Sequence, residues 1–384
     1  MIMKIGIDAR FWGIKHTGIG RYIMELVKHL EKIDRKNEYI IFLRRQYFNQ
    51  LKFKNPKFKK VLADFANYSF AEQIHFKKIL EKEKVDLVHF PHFNLPILYQ
   101  GKFVVTIHDL IKHESKGSLT TTRPSLLYWF KYLGYLLIVN AGVRRADRII
   151  VPSFWWQKKL VAKFKLKRKK VKVTYESVSD NFKGLTKISN QKKVRELLIK
   201  YEIKQPFVIY TGNLYPHKNI AKLVEAIKKI NQERELYLVI ACAKNVFWQR
   251  LKKIIGEKKI DKYVVLAGFV PDEDLARLYQ QAEAFVFPSL LEGFGLPGLE
   301  AMAVGLSVVC SRASCLPEIY QDAASYFQPN QINDIKTKIL QVIDNRKLRM
   351  ELIRNGYQRV SHFSWYKMAR ETLAIYESIT KEAQ

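Results

Sequence analysis

Residues 284–305 read AFVFPSLLEGFGLPGLEAMAVG, and this pattern decides the fold class. The first six residues are a short apolar run typical of a buried strand, and the last eight are typical of a helix that ends at Gly305. A glycine-rich loop containing Glu292 lies between them. A strand that leads through a short loop into a helix is the repeating unit of a parallel sheet covered by helices.

The same alternation of short apolar runs and helical periodicity extends along the chain in two series. A stretch that is first polar and then helical, residues 176–205, separates the series. We therefore expect an α/β protein with two doubly wound, Rossmann-like domains, residues 1–175 and 206–364, joined by the linker 176–205. Because ligands of such folds bind beyond the carboxyl ends of the strands, the cleft between the domains is the expected site. The runs are KIGIDA, EYIIFL, VDLVHF, KFVVTI and DRIIVP, then FVIYTG, LYLVIA, YVVLAGF, AFVFPS and SVVCS.

Positive charge is concentrated in the first half of the 384-residue chain. The formal net charge is +31, and residues 1–200 hold 42 Lys and Arg against 16 Asp and Glu. Such a surface attracts anionic membranes, nucleic acid or acidic polymers. The densest run, from Lys158 to Lys172, is equally compatible with a solvated helix followed by an edge strand and with attachment to an anionic membrane. No nucleic-acid-binding pattern accompanies it, so nucleic acid is not an expected partner.

Other patterns indicate a cytoplasmic protein. The three cysteines form no CxxC pair, which favours reduced, buried thiols. Asp8 and Arg10 interrupt the first apolar run, unlike a secretory signal peptide. Residues 124–143 are long enough to span a membrane but contain Lys131, so a buried or interfacial helix is expected there.

Two loops have features suited to a phosphate. Gly212 ends the run FVIYTG, and Lys218 follows six residues later, close to the start of the next helix. Gly18 and Gly20 precede a helix expected to start near Arg21, whose first amides could bind an anion. A dinucleotide fingerprint is excluded because its third glycine is missing and the loop is too long.

His108 and Asp109 follow the run KFVVTI, where a parallel sheet places reactive groups. Asp109 could equally serve as a helix N-cap. With His89 and His92 these residues could also bind a metal, as in a metal phosphohydrolase. His89 and His92 lie on an extended segment without the helical i, i+4 spacing, so no metal is expected.

The loop and helix of residues 284–305 offer three kinds of contact. Glu292 and Glu300 can accept hydrogen bonds from several hydroxyls. Gly293 and Gly295 leave backbone amides open to a ligand, and the helix N-terminus favours an anion. A nucleotide sugar, which combines phosphates with hydroxylated rings, would use all three.

These segments resemble the signature of the retaining glycosyltransferases of family 4, which have the two-domain GT-B fold, and most closely the mannosyl- and rhamnosyltransferases of bacterial surface polysaccharides. The resemblance implies metal-independent transfer of a hexose, without a cofactor, from a nucleotide-diphosphate sugar to a glycan or lipid-linked acceptor, with GDP-mannose favoured. It implies a same-face reaction in which the leaving phosphate helps to deprotonate the acceptor, and a C-terminal helix, 365–384, that rejoins the first domain. The matching segments are EGFGLPGLE, YTGNLYPHKN, AGFVPDEDLARLYQQAEAFVFPS, GIDAR to GIGRY, TIHD and FSW.

The resemblance also implies residue roles. Glu292 would bind hydroxyls of the donor sugar and Glu300 those of the ribose. Lys218 would neutralise the leaving diphosphate, and His108 would lie beside the reacting centre. Many relatives have an arginine where this chain has Asn213, so another cation, such as Arg21, would have to compensate. The other residues expected to bind the donor are Gly20, Gly212, Asn213, Gly293, Phe294, Gly295 and Leu296.

The main alternative is a non-catalytic protein that binds polyanions or membranes on the same scaffold. The presence of both glutamates, Lys218 and His108 favours an enzyme, because a non-catalytic scaffold needs none of them. The basic first domain is expected to bind the acceptor at the inner face of the plasma membrane. Docking would use residues 158–172 and also residues 51–60, whose Phe53 and Phe58 would enter the interface.

Overall fold

The computed structural model describes residues 2–13, 17–65, 69–114, 125–185 and 190–381. The chain divides into two compact units, each with its own parallel sheet. The first unit comprises Met1–Leu110, Arg123–Glu176 and Ser364–Gln384, and the second comprises Ile111–Thr122 and Ser177–Phe363.

The first unit contains a seven-stranded sheet whose strands are all parallel, in the order β3-β2-β1-β4-β5-β6-β7. The strand order reverses between β1 and β4, and in doubly wound folds such a switch point opens a ligand crevice at the carboxyl ends of the strands. The strands are β1 (Lys4–Asp8), β2 (Glu38–Leu43), β3 (Phe58–Leu62), β4 (Leu87–Phe90), β5 (Phe103–Thr106), β6 (Arg148–Val151) and β7 (Val171–Val173).

The second unit contains a six-stranded parallel sheet in the order β10-β9-β8-β11-β12-β13. Its switch point lies between β8 and β11, the strand of the segment 284–305. Both strands are buried apart from the half-buried end of β8, as the apolar runs predict for the centre of a parallel sheet. The strands are β8 (Phe207–Thr211), β9 (Tyr237–Ala241), β10 (Val264–Gly268), β11 (Phe285–Phe287), β12 (Val308–Ser311) and β13 (Ala324–Phe327).

Helices follow nearly every strand, which is the pattern of crossover connections between parallel strands. One π-helical turn, Glu72–Phe76, precedes α3, and short 3₁₀ turns include Pro216–Lys218 and Arg168–Lys170. The α-helices are α1 (Thr17–Ile33), α2 (Arg45–Phe48), α3 (Lys77–Glu83), α4 (Ile111–Glu114), α5 (Ser125–Arg145), α6 (Phe154–Phe164), α7 (Gln191–Lys200), α8 (Ile220–Ile230), α9 (Val246–Glu257), α10 (Asp272–Gln281), α11 (Leu296–Ala303), α12 (Leu316–Tyr320), α13 (Ile332–Asp344), α14 (Arg346–Ser361) and α15 (Trp365–Lys381).

The C-terminal helix α15 packs in the core of the first unit, although it follows the second unit in sequence. Its Met368, Ala369 and Tyr376 are buried against α1 and the sheet. The stretch 176–205 lies in the second unit apart from Glu176. Within it α7 packs on α10, with Leu197 buried, because its apolar face needs a partner.

Two expectations for the first unit are wrong. Helix α1 begins at Thr17 rather than near Arg21, so Gly18 and Gly20 lie within its first turn. Phe58 is only 5% exposed and stacks on Tyr39 with ring centroids 4.3 Å apart, because it belongs to the core under the edge strand β3. It therefore does not form part of an exposed docking surface.

The other compositional expectations concern the cysteines and helix α5. All three cysteines are free thiols and buried, as predicted, and burial raises the pKa of Cys242 to about 12. The segment expected to be a buried or interfacial helix forms α5, while Pro124 lies outside the described residues. Over the part of the chain that is described, no helix has both the length and the apolar character needed to cross a bilayer.

Candidate functional site

The second unit places Lys218 and Glu292 at its switch point. Lys218 ends the short 3₁₀ helix that follows β8, and Glu292 lies in the loop after β11. Because β8 and β11 are neighbours in the sheet, two residues that are 74 positions apart come together at its carboxyl edge.

Lys218 and Glu292 form a buried ion pair. The Lys218 ammonium donates to both carboxylate oxygens of Glu292, with Nζ to Oε1 2.7 Å and Nζ to Oε2 2.8 Å. Lys218 is 8% exposed and Glu292 6% exposed. The Phe287 ring also lies near the ammonium, with its centroid 5.7 Å from Nζ. Two charges so shielded from water are stable only as a pair.

Further hydrogen bonds hold the two loops at this edge together. The Leu290 amide donates to the His217 carbonyl at 2.7 Å, and the Asn219 side chain donates to the Pro288 carbonyl at 3.2 Å. The Glu292 amide donates to Ser314 Oγ at 3.1 Å. These bonds fix the position of the Glu292 backbone.

Helix α11 begins beside Glu292. Gly295, its N-cap, has φ +99°, a left-handed conformation that favours glycine, and the buried Tyr320 hydroxyl donates to its carbonyl at 2.5 Å. A Cβ on Gly295 would lie 2.6 Å from that hydroxyl. Among the first three residues of α11, the Leu296 amide is the donor that faces out of the helix start, because Pro297 has no N–H and the Gly298 amide donates to the Gly295 carbonyl at 3.2 Å.

The remaining donor-binding candidates of the second unit surround this helix start and the loop after β8. Glu300 is buried on the second turn of α11, and Phe294 is buried with its ring centroid 5.5 Å from that of Phe363. The Tyr210 hydroxyl donates to the Asn213 carbonyl at 2.6 Å, and so fixes the turn at Gly212. Gly293 and Leu296 are half-buried in the loop and at the first position of the helix. The second unit thus contains nine predicted site residues: Gly212, Asn213, Lys218, Glu292, Gly293, Phe294, Gly295, Leu296 and Glu300.

His217, next to Lys218, stays neutral. Burial, together with the charge of Lys218, lowers the pKa of His217 to about 3. Lys218 is therefore the cation of this loop.

The first unit holds His108 at the carboxyl end of β5, paired with a carboxylate that sequence reasoning missed. His108 Nδ1 lies 2.9 Å from Glu176 Oε1, and Nε2 lies 2.9 Å from the Pro91 carbonyl oxygen. The Tyr22 ring meets the imidazole edge to face at 4.8 Å between centroids. Burial alone would lower the pKa of His108, but the hydrogen bond and charge of Glu176 raise it above its ordinary value. The position of Glu176 just beyond β7 was the available signal.

Arg10 forms a buried network at the switch point of the first unit. It pairs with Asp8 through Nη2 and Oδ2 at 2.7 Å and also bonds to Glu72, whose carboxylate accepts from Asn94 at 2.6 Å. Burial alone would lower the pKa of Arg10, but the two carboxylates raise it. The guanidinium lies 4.0 Å from the centroid of the Phe76 ring. These side-chain contacts hold the loop that follows β1 in place.

Gly20 has a packing role in the first unit. It is buried in the first turn of α1, and a Cβ there would collide with the Gly13 carbonyl, at the beginning of the loop whose residues 14–16 lie outside the described part. The glycine thus lets α1 and the loop backbone approach each other closely.

His89, one of the residues considered as a metal ligand, has other partners. His89 Nε2 lies 2.8 Å from Thr106 Oγ1, and Nδ1 lies 2.6 Å from the Tyr376 hydroxyl. Burial, followed by the charge of His108, lowers the pKa of His89 to about 3. Within the described ranges, no three His, Cys, Asp or Glu side chains are arranged to hold a metal ion.

Two doubly wound units of this topology define the GT-B class, and the solved structures with this fold agree. A sucrose-phosphate synthase from Thermosynechococcus elongatus matches with a TM-score of 0.77 at 18% identity, covering 99% of this chain and 100% of that chain. The Anabaena protein HepE, in complex with UDP and glucose, matches with a TM-score of 0.74 at 15% identity, covering 98% and 100%.

The sequence comparisons define the family. Residues 16–182 match the family model for Glycosyltransferase Family 4, and residues 193–359 match that for Glycosyl transferases group 1. The chain therefore belongs to the glycosyltransferases, which confirms the resemblance of its motifs. It is also similar to the O-antigen chain mannosyltransferase B of Escherichia coli, at 26% identity over 94% of this chain and 96% of that protein.

Proposed function

We propose that this glycosyltransferase moves a hexose from a nucleotide-diphosphate sugar to a glycan or lipid-linked acceptor, with retention of configuration and without a metal ion or cofactor. The observation that carries the proposal is the buried Lys218–Glu292 pair beside the start of α11, at the switch point of the second sheet. A cation, a carboxylate and a helix amide at one edge match the diphosphate and the hydroxyls of such a donor.

Each group has a defined part in this reaction. Breaking the anomeric C–O bond puts negative charge on the departing diphosphate and positive charge on the sugar ring. Lys218 and the Leu296 amide at the start of α11 stabilise the diphosphate, while Glu292 binds sugar hydroxyls and Glu300 binds the ribose. Because both oxygens of Glu292 accept from Lys218, a bound donor shares or replaces that contact.

Retention follows a same-face route in this proposal. A double displacement needs a carboxylate nucleophile. Glu292 is poorly suited to that part because both of its oxygens accept from Lys218. The leaving phosphate instead helps to take the proton from the acceptor hydroxyl.

The comparisons support a choice of donor and process. The name of the Escherichia coli relative supports mannose as the sugar and a surface polysaccharide as the product. The HepE complex with UDP and glucose supports nucleotide sugars as the donor class. We propose GDP-mannose as the donor: the relative supports mannose, and the guanine nucleotide rests on the resemblance of the motifs.

We also propose that the first unit docks on an anionic membrane from the cytoplasmic side. The basic run 158–172 includes the exposed end of α6, and Lys170 donates to the Arg144 carbonyl at the end of α5 at 2.6 Å. Cationic side chains and an exposed apolar helix face together favour an anionic lipid surface. The exposed apolar residues of α5 are Trp129, Phe130, Leu133 and Leu137.

A donor panel tests the proposed reaction. Binding and hydrolysis are measured with UDP-, GDP-, ADP- and dTDP-sugars, with and without a chelator. The proposal predicts one preferred donor, turnover that survives the chelator, and a product whose anomeric configuration, read by NMR, equals that of the donor. Binding to anionic liposomes without any donor binding would favour the scaffold alternative, and turnover lost to the chelator would favour the metal enzyme. Absence of liposome binding at low salt would remove the membrane proposal.

A further inference from the structure

The ring of His108 has both nitrogens engaged within the first unit. Nε2 faces the carbonyl oxygen of Pro91, and Nδ1 faces the carboxylate of Glu176, each at 2.9 Å. The order β5-β6-β7 places the carboxyl ends of β5 and β7 at one edge of the sheet, so the loops after them can meet. This contact joins residues 68 positions apart.

These partners determine the protonation of the ring. A carbonyl oxygen can only accept a hydrogen bond, so Nε2 must carry a proton. An ionised carboxylate is also only an acceptor, so the Nδ1 contact is complete only when Nδ1 carries a proton as well. The two contacts together select the imidazolium, the form with a full positive charge.

The surroundings of His108 stabilise a positive charge on its ring although the side chain is largely buried. The side chain of His108 is 12% exposed and that of Glu176 is 7% exposed. The other titratable groups near the ring are Asp109 on its own loop, His89 on β4 and Tyr22 on α1. Asp109 also raises the pKa of His108, whereas His89 stays neutral because burial lowers its pKa. Glu176 is the partner whose side chain bonds to the ring.

We propose that Glu176 is a positioning residue that holds His108 doubly protonated and fixed against the Pro91 carbonyl, so that His108 acts as a fixed positive charge and not as a general base. This role rests on the proposed function and on the position beside the reacting centre that the family resemblance implies for His108. An imidazolium whose two ring protons are both held by acceptors has no lone pair with which to take up another proton.

The test compares Glu176→Gln, which keeps the shape but loses the charge, with Glu176→Asp, which keeps the charge on a shorter stem. Glu83→Gln is the matched control, because Glu83 lies in the same unit, 3.9 Å from Lys4 Nζ, and its side chain is 24% exposed. NMR titration of the ring proton that disappears in His108→Asn gives the pKa of His108 in each variant. Kinetic assays give kcat and KM from pH 5 to 9.

We expect His108 of the unaltered protein to titrate above 6.5, the ordinary value. In Glu176→Gln the pKa of His108 falls toward or below that value, in Glu176→Asp it falls less, and in Glu83→Gln it does not change. At pH 8 Glu176→Gln lowers kcat by about tenfold or more, with little change in the donor KM. The alkaline limb of its kcat profile moves down together with the pKa of His108.

An unchanged pKa of His108 in folded Glu176→Gln overturns the inference, and so does an unaltered kcat profile. If Glu176→Gln does not fold, a His108 of the unaltered protein that titrates at or below 6.5 overturns it. The titration needs no substrate, so failure to find a sugar donor contradicts the proposed function and leaves the titration result intact.

Discussion

Separating Lys218 from Glu292 should destabilise the second unit strongly. Lys218→Met leaves a carboxylate that is 6% exposed without its cation, and Glu292→Gln leaves an ammonium that is 8% exposed facing a neutral amide. Loss of one partner of a buried pair costs about 3–5 kcal/mol, because the other charge stays buried without the opposite charge that faced it. The double variant removes both charges, so its loss should be smaller than the sum of the two single losses by about 2–3 kcal/mol.

The assay is a double-mutant cycle on the free energy of unfolding, measured in urea at pH 7. Hydrogen exchange of the β8 and β11 amides then reports the local stability of the second unit. The matched control is the cycle for Lys258 and Glu225, which lie 2.5 Å apart in the same unit with both side chains about one-third exposed. Solvent screening should keep its coupling to about 1 kcal/mol or less. Strictly additive effects at Lys218 and Glu292, or single losses no larger than those of the control, would refute the buried pair.

Three further effects follow from packing and charge. Stability should fall as the pH drops from 6.5 toward 3, because burial holds the pKa of His89 at about 3 and only the unfolded chain takes up a proton in that window. This accounts for up to about 5 kcal/mol at pH 3. His89→Gln should largely remove this loss from the free energy of unfolding measured against pH. Gly20→Ala should cost about 1–3 kcal/mol in thermal unfolding because its methyl group meets the Gly13 carbonyl, whereas Gly18→Ala, with open space around it, should be neutral or stabilising. Tyr320→Phe should cost about 1–2 kcal/mol in urea unfolding, because it loses the buried bond to the Gly295 carbonyl. Tyr326→Phe should cost less, because the bond of half-buried Tyr326 to the Gln321 carbonyl is exposed, and equal losses would contradict the argument.

The sequence predicts the interior strands of both sheets and the edge strand β10 as apolar runs, but not the edge strands β3 and β13. β8 and β11 are buried on both faces, so they are visible as continuous apolar runs. β3 reads FKKVL because one of its faces meets solvent, and β13 reads ASYF, too short to stand out. Both are edge strands, and their assignment depends on pairing with β2 and β12.

Some features of the candidate site can be predicted from the sequence and others cannot. The segment 284–305 and the loop after β8 are recognisable locally, because a strand, glycines and a polar residue follow one another in sequence. The direct contact of Lys218 with Glu292, and that of His108 with Glu176, depend on which strands are neighbours. The position of Glu176 just beyond β7 marks it as a candidate, but sequence spacing alone does not indicate that either pair is in contact.

Turnover of Lys218→Ala and Glu292→Ala with the preferred nucleotide sugar tests the central claim most directly. Each variant is assayed at a temperature at which it is shown to be folded, beside Glu225→Gln as the control. Loss of one preorganised electrostatic contact should lower kcat by about a hundredfold or more in both variants, while the control stays close to the unaltered protein. Near-normal kcat in folded Lys218→Ala and Glu292→Ala would contradict the assignment of this pair as the donor site.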